Sequence, residues 1–281
     1  MAGVKLFVLL AMVGAFDRSI VRLDVPDCVT VAPRKPAVME SHGRRRAVRH
    51  PSLQPVDVDI AIGWTAAVAA DPRIGQEGAR KFAQDAIDHT NAALRGTGIY
   101  HVTLRLVWSG QLDFVDTPAA TPQKAMDWLL ADPAVKAMRA ESRADQVWLI
   151  TFWTEPSAAP VPITAADFIP ENGVAVVNWI GGVHSAAHEF GHTLGLFHDF
   201  APVENPPNPD PFPYRYAHYS VPGNFKDLMV PRYKCPSCDV IEVYSNASPG
   251  MTYRGFPMGG PKSDAAVLIP WAAARVAGYS E

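Results

Sequence analysis

The spacing of apolar residues predicts a strand, a helix and a second strand soon after residue 55. Apolar and acidic residues alternate from Val56 to Ile62, which is the period of a half-buried strand. Apolar positions from Gly75 to Leu94 recur at helical spacing, and Gly96 and Gly98 follow as stop signals. A second strand, His101 to Trp108, alternates with one apolar face formed by Val102, Leu104, Leu106 and Trp108. This order predicts a sheet with a helix packed on it.

The middle of the chain continues the same kind of pattern. A weaker helical pattern from Thr121 to Arg143 is interrupted near Asp132-Pro133, and a very apolar strand follows from Gln146 to Trp153. The proline-rich stretch from Glu155 to Pro170 predicts a loop, and Gly173 to Ile180 is another apolar strand. We therefore expect further strands beyond the opening unit.

The residues before 56 lack a sustained period and indicate export. Lys5, an apolar run from Leu6 to Phe16 and small residues near Ala15 form the layout of a signal peptide over residues 1–16, with a buried strand as the alternative. Residues 17–55 are rich in proline and arginine, and we interpret them as a leader or short pro-segment, or as an exposed linker. Residues 56–281 are then one folded domain of a secreted protein.

The composition supports one folded domain and limits the classes of partner that we propose for it. The 281 residues are 48% hydrophobic and 19% charged, which is enough apolar material for a sizeable core. The formal net charge of −3 gives no reason to propose nucleic acid or an anionic membrane as a partner. No segment other than the leader approaches the ~18 apolar residues of a membrane helix, so we predict no membrane insertion.

The three cysteines are too few for a disulfide scaffold. Cys235 and Cys238 could form a tight-loop disulfide in an exported protein, or half of a four-cysteine zinc site. The zinc site would need a second cysteine pair, and the chain has only Cys28 besides these two. A disulfide between Cys235 and Cys238 is therefore the preferred interpretation.

Residues 188–198 read HEFGHTLGLFH and follow Gly181-Gly182. Two histidines four residues apart on a helix, His188 and His192, project from one face and can reach the same ion. Glu189 lies beside them, where its carboxylate can take a proton from water. Gly195 can adopt the left-handed conformation that ends the helix and brings His198 to the ion as a third ligand. Three neutral nitrogens leave a fourth position open, which is typical of a catalytic zinc ion.

The neighbouring residues predict how this helix is placed. Ser185 is the predicted N-cap, and Phe190, Leu194 and Leu196 are predicted to face the core. His184 lies four residues before His188 and could be mistaken for a ligand. Because three protein ligands already suffice, we assign His184 to the start of the helix or the rim of the site.

This motif resembles the long signature of the metzincin zinc metallopeptidases, whose three histidines ligate zinc and whose glutamate is the general base. The resemblance implies those roles for His188, His192, His198 and Glu189. The aspartate that follows the motif, Asp199, resembles that of the reprolysin-like branch. Residues 241–246, 253–259 and 264–266 resemble the tail of the bacterial peptidyl-Asp and reprolysin-like metallopeptidases. The likeness covers about residues 56–279. It implies an α+β zincin fold with a twisted mixed sheet, long helices, a zinc helix, a Met-turn and a helix over 264–278.

Metzincins place a methionine in a turn beneath the zinc, and Met229 is the candidate here, with Met251 and Met258 as alternatives. The chain departs from the family in two places. It has Tyr233 four residues after Met229, where relatives have a tyrosine two residues after the methionine, so a role for Tyr233 in holding an oxyanion is open. The proline-rich stretch stands where relatives have the edge strand that pairs with substrate, and proline cannot donate to such a ladder.

Two further residues have open roles. His218 lies between the zinc helix and Met229, and it either lines the cleft and assists an oxyanion or is a surface histidine. Cys28 could ligate zinc as a thiolate and silence a zymogen, although its surroundings have no specific mark of such a switch.

We therefore expect a monomeric, secreted metalloendopeptidase with one catalytic zinc ion and a protein or peptide substrate. Glu189 would take the proton of a zinc-activated water and deliver it to the leaving amine. One alternative is a zinc hydrolase that acts on amides outside proteins. The other is a secreted binding protein on a zincin scaffold, which would have no use for Glu189 as a base.

Overall fold

A sheet of four strands organises the computed structural model, which describes residues 54–117, 120–152, 173–198, 212, 214–231 and 233–280. The sheet order is β2-β1-β3-β4, and every pairing between these strands is parallel. The strands are β1 (Val56–Trp64), β2 (Val102–Gln111), β3 (Gln146–Thr151) and β4 (Val174–Asn178). The expected mixed sheet therefore differs from the described pairing, which is parallel throughout.

Helices cover both faces of this sheet, so each strand needs apolar residues on both sides. The helices are α1 (Ala66–Ala70), α2 (Gly75–Gly96), α3 (Pro122–Ala131), α4 (Pro133–Ser142), α5 (Gly182–Thr193) and α6 (Ala265–Val276). One core contains apolar residues of α2, α5 and α6, and the other contains those of α3 and α4. In β3, Trp148 belongs to the first core and Leu149 to the second. The described residues thus combine helices and strands, as expected, with a parallel sheet that is compatible with an α/β arrangement.

The prediction for β2 was right up to Leu106 and wrong for Trp108. Val102, Leu104 and Leu106 belong to the core with α2, whereas Trp108 packs with the core on the opposite face. The register shifts here, because Ile60 pairs with Leu106 and the next residue of β1 pairs with Trp108. The extra residue is a β-bulge, and a bulge reverses the side on which the following side chains lie.

Local signals mark the helix ends. Asp132 separates α3 from α4, and its Oδ1 accepts hydrogen bonds from the backbone N–H groups of Ala134 and Val135 at 2.8 and 3.0 Å. The helix α5 begins at Gly182, so Ser185 lies inside it and is not the N-cap that we predicted. The reason is a short 3₁₀ turn at 179–181, started by the Asn178 side chain, which leads directly into α5.

The part after α5 consists of short pairings and one closing helix. Its strands are β5 (Tyr219–Ser220), β6 (Phe225–Lys226), β7 (Asp239–Val240), β8 (Thr252–Tyr253) and β9 (Phe256–Pro257). Thr97, at the end of α2, joins this part to that helix: its Oγ1 accepts from the Tyr244 N–H at 2.9 Å, and its carbonyl accepts from Asn246 Nδ2 at 2.6 Å. The predicted helix over 264–278 is present as α6.

Several expectations fall outside the described residues. The signal peptide, residues 17–53 of the leader, Cys28, the proline-rich stretch and Asp199 are among them. The division into signal peptide, leader and folded domain therefore stays a prediction. Within the described ranges, no helix combines the length and the apolar character that a membrane crossing requires.

Candidate metal centre

Three histidine rings meet at one point near the end of α5. The Nε2 atom of His188 lies 3.0 Å from that of His192 and 3.1 Å from that of His198. The Nε2 atoms of His192 and His198 are 3.1 Å apart. His188 and His192 are buried, and His198 is partly exposed. The structure thus brings together the three residues that the motif predicted as ligands.

Backbone carbonyls determine which ring nitrogen of the two helix histidines bears hydrogen. His188 Nδ1 donates to the carbonyl of Leu228 at 2.6 Å, and His192 Nδ1 donates to the carbonyl of Leu196 at 2.8 Å. A carbonyl oxygen only accepts, so each Nδ1 carries the hydrogen and each Nε2 of a neutral ring has a lone pair. The 3.0 Å contact between these two Nε2 atoms is therefore a contact between lone pairs, which a shared cation would make favourable.

Burial also keeps these rings neutral. Burial, with a smaller contribution from the His198 ring, lowers the pKa of His188 to about 3. Burial, followed by the neighbouring His188 and His198 rings, lowers the pKa of His192 well below its ordinary value. At neutral pH both imidazoles are therefore in the form that can ligate a metal ion.

The turn after α5 supplies one of the two carbonyls. The N–H of Leu196 donates to the carbonyl of Gly191 at 3.0 Å, and the N–H of Gly195 donates to that of His192 at 2.9 Å. This is a Schellman motif, and it requires the left-handed conformation that Gly195 adopts at a φ of 83°. The turn points the Leu196 carbonyl back at the His192 ring.

A short pairing then fixes His198. The N–H of Phe197 donates to the carbonyl of Arg215 at 2.9 Å, and the N–H of Ala217 donates to that of His198 at 3.3 Å. Phe197 and Tyr216 form an isolated parallel bridge. These bonds hold Phe197 and His198 against residues 215–217, so that the His198 ring reaches the rings of the two helix histidines.

Met229 packs against α5 at Gly191, which lies between the two helix histidines in the sequence. A Cβ atom built on Gly191 would overlap the Met229 sulfur and would also come within 3.1 Å of the Tyr244 ring. Only glycine therefore fits at this position of α5 without a shift of its neighbours. Met251 and Met258, the alternatives, belong instead to a separate cluster with Phe225.

Asp227 organises the turn that contains Met229. Its Oδ1 accepts from the Met229 N–H and its Oδ2 from the His218 N–H, both at 2.9 Å. Burial raises the pKa of the Asp227 carboxyl to about 7, against the opposing effect of the backbone N–H groups that bind it. Asp227 thus positions Leu228, whose carbonyl accepts the hydrogen of His188.

Glu189 follows His188 on α5, and only 1% of its surface is exposed. A charge is costly to bury, so a glutamate at this depth needs a functional or electrostatic reason to be there. A cationic ion held by the adjacent histidines would provide that reason, because an opposite charge favours the ionised carboxylate.

The three histidines fit a tetrahedral metal ion. Four-coordinate zinc with bond lengths of ~2.0–2.1 Å places neighbouring nitrogen ligands about 3.3–3.4 Å apart. The observed separations of 3.0 and 3.1 Å are close to these values. The three side chains could therefore hold one ion with a coordination position to spare.

The remaining predicted residues have different places. Tyr233 is 59% exposed, and its ring lies 5.7 Å from the Lys234 ammonium, so no described contact joins it to the histidines. The Nε2 atom of His218 donates to the Pro257 carbonyl at 3.0 Å, so this ring nitrogen already has a partner. Burial lowers the pKa of the His218 ring. Cys235 and Cys238 form a disulfide.

Two contributors to the site were missed because the motif does not contain them. Tyr244 is fully buried, and its hydroxyl donates to the carbonyl of Ala187 at 2.6 Å, directly before the first histidine. Asp227 is the other, and it lies outside the motif as well. A usable signal for Asp227 was its place two residues before the methionine, since aspartate caps turns through the N–H two residues on.

Replacement of Gly191 tests the packing of Met229 against α5. We expect Gly191→Ala to lower the free energy of unfolding by about 1–3 kcal/mol through overpacking, although alanine is normally the better helix residue by ~1 kcal/mol. Urea unfolding measures the change. Gly260→Ala is the control, because a Cβ there meets nothing within 4 Å. Equal stability of both variants would contradict the close contact.

Replacement of Asp227 tests its role in the turn. An amide side chain at this position would keep one acceptor oxygen but turn its N–H₂ group toward the second backbone N–H, so we expect Asp227→Asn to cost about 1–3 kcal/mol. The exposed Asp88, which accepts from Gln84, provides the control variant Asp88→Asn, with an expected change within about 0.5 kcal/mol. Denaturant midpoints that shift equally in the two variants would rule out the turn role.

Comparisons with known proteins point toward a metallopeptidase relationship. No protein-family model matches the chain. The chain is 27% identical over 197 residues to a peptidyl-Asp metalloendopeptidase of Pseudomonas aeruginosa, a match that covers 62% of this chain and 32% of that protein. The chain thus spans about a third of the length of this relative.

A solved structure is also similar to the fold. A chain in "Structure of a chaperone-substrate complex" superposes with a TM-score of 0.64 at 19% identity, covering 81% of this chain and 35% of that one. At this identity the likeness shows the fold alone. Together, the sequence match and the histidine cluster relate this chain to a metallopeptidase with a site that could bind a metal ion.

Proposed function

We propose that the chain is a zinc-dependent metalloendopeptidase of the metzincin type. The observation that carries the proposal is the meeting of the three Nε2 atoms within 3.1 Å of one another. The Nε2 atoms of His188 and His192 each present a lone pair, because the hydrogen of each ring is on Nδ1 and is donated to a backbone carbonyl. A cation is the simplest occupant that turns this mutual repulsion into attraction.

The donor set favours zinc over other common ions. Imidazole nitrogen suits zinc and other late transition metals, whereas calcium and magnesium take oxygen ligands. Three protein ligands with an open position are the arrangement of a catalytic rather than a structural zinc site. His188, His192 and His198 would hold one zinc ion.

A bound zinc ion would supply a Lewis acid that makes water nucleophilic near neutral pH and polarises a substrate carbonyl. Glu189, buried beside His188, would accept the proton of the attacking water as general base. It would then deliver that proton to the nitrogen of the leaving amine as the C–N bond breaks. Leu228 and Leu196 would keep the histidine rings oriented through their carbonyls during the reaction.

A peptide is the proposed substrate, and the similarity to the peptidyl-Asp metalloendopeptidase of Pseudomonas aeruginosa supports this class. We also propose that the chain is secreted as a monomer after loss of residues 1–16, with residues 17–55 as a leader. The disulfide between Cys235 and Cys238 supports export, because disulfides persist in oxidising compartments.

Cleavage of casein by the purified full chain tests the proposal. The chain is assayed before and after limited treatment with trypsin, which can cut at the three arginines of residues 44–46 and is inhibited and removed before the assay. We expect Glu189→Gln to keep about one zinc ion in the histidine site and to lose roughly 10²–10⁴-fold in rate, the contribution of a general base. A zinc chelator should abolish cleavage, and added zinc should restore it. The exposed Glu141 gives the control, Glu141→Gln, which should cleave like the parent chain.

Three results would overturn the proposal. Cleavage at the parent rate in Glu189→Gln would rule out the assigned base, and cleavage at that rate in the chelated chain would rule out the metal. Hydrolysis of small amides without cleavage of proteins would make the chain a different zinc hydrolase. Zinc binding without any hydrolysis, in both the intact and the trypsin-treated chain, would favour the zincin-scaffold binding protein.

A further inference from the structure

A second cluster of metal-binding side chains lies one helical turn before the candidate centre. Glu242 Oε2 is 3.0 Å from His89 Nε2 and 3.0 Å from His184 Nδ1. His89 is on α2, His184 is in the first turn of α5, and Glu242 follows β7. One carboxylate oxygen thus joins imidazoles from two helices that are far apart in the sequence.

We infer that His89, His184 and Glu242 form a second binding site for a divalent transition-metal ion, with zinc as the best-suited ion. Their ligand atoms all lie within 4.8 Å of one another. Two of the three separations are 3.0 Å, near the about 3.3–3.4 Å between neighbouring ligands of tetrahedral zinc. Small rotations of the side chains would complete the geometry.

The donor set and its exposure agree with this assignment. Two imidazoles and one carboxylate are a known ligand combination for zinc, whereas calcium and magnesium prefer oxygen ligands throughout. The side chains of His89, His184 and Glu242 are 22%, 34% and 49% exposed, so an ion can enter and keep water in its remaining positions.

The position of this cluster means that a bound ion would link two helices to the segment that orients His188. His184 and His188 are four residues apart on α5, a rise of about 6 Å along the helix. Next to Glu242, the carbonyl of Val243 accepts from the Leu228 N–H at 3.0 Å, and Leu228 in turn accepts from His188 Nδ1. An ion in the second cluster would therefore fasten α2 and α5 to the segment that orients the first histidine.

The competing explanation is an ordinary hydrogen-bonded pair, in which both rings donate to the Glu242 carboxylate and no ion binds. The two explanations differ in metal content and in the response to zinc. The second site does not rest on the proposed peptidase activity, because it uses none of the residues assigned to catalysis.

Zinc content after equilibrium dialysis of the full chain, measured by mass spectrometry of the metal, tests the inference. We expect two zinc ions in the parent chain, one in Glu242→Gln, one in His89→Ala and one in His188→Ala. The control variant His101→Ala should keep two. Loss of a ligand should weaken zinc binding at the second site by at least about tenfold.

Thermal unfolding gives an independent readout if His188→Ala fails to fold. Zinc at about one hundred times its Kd for the second site should raise the Tm of the parent chain by about 5–10 °C more than that of Glu242→Gln. Calcium at the same concentration should give no such difference. Equal zinc content and equal Tm shifts in the parent chain and Glu242→Gln would overturn the second site and leave the hydrogen-bonded pair. Neither result would bear on casein cleavage. A single ion that is lost in Glu242→Gln and kept in His188→Ala would support the second site and count against the first.

Discussion

The hydrogen bonds from two histidine Nδ1 atoms to backbone carbonyls determine what the candidate centre can bind. They hold the hydrogen of His188 and His192 on the outer nitrogen, so that the inner nitrogen presents a lone pair. With the rings neutral and buried, the inner nitrogens converge with that of His198. Without these two carbonyls, the rings could rotate or exchange tautomers, and the convergence would lose its basis.

Much of the surrounding structure serves to place those carbonyls. The Leu196 carbonyl depends on the Schellman turn at Gly195, and the Leu228 carbonyl depends on the turn that Asp227 organises. Met229 occupies the space that the missing side chain of Gly191 leaves under α5. The parallel sheet carries α5 directly after β4 and supports it through the core shared with α2 and α6.

The sequence predicted best those features of the structure that depend on residues close to one another along the chain. The spacing of the histidines, the turn at Gly195 and the break at Asp132 are local, and the structure has each of them. The face of Trp108 could not be predicted, because a bulge depends on pairing with β1.

The same limit applies to the sites. The Leu228 carbonyl lies 40 residues from the ring it binds, and Glu242 lies 153 residues from His89. The spacing of apolar and polar residues along the chain does not reveal contacts between residues so far apart in the sequence. Only the folded arrangement of α2, α5 and the segment after β7 brings these groups together.

X-ray absorption at the zinc edge, on the Glu242→Gln chain loaded with one equivalent of zinc, tests the central claim most directly. This background removes the second cluster, so the signal reports on the candidate centre. We expect three imidazole nitrogens at ~2.0–2.1 Å and one further ligand, the oxygen of a water molecule. Sulfur ligands, fewer than three imidazoles, or an unchanged spectrum after His192→Ala would contradict the assignment of His188, His192 and His198 as the metal ligands.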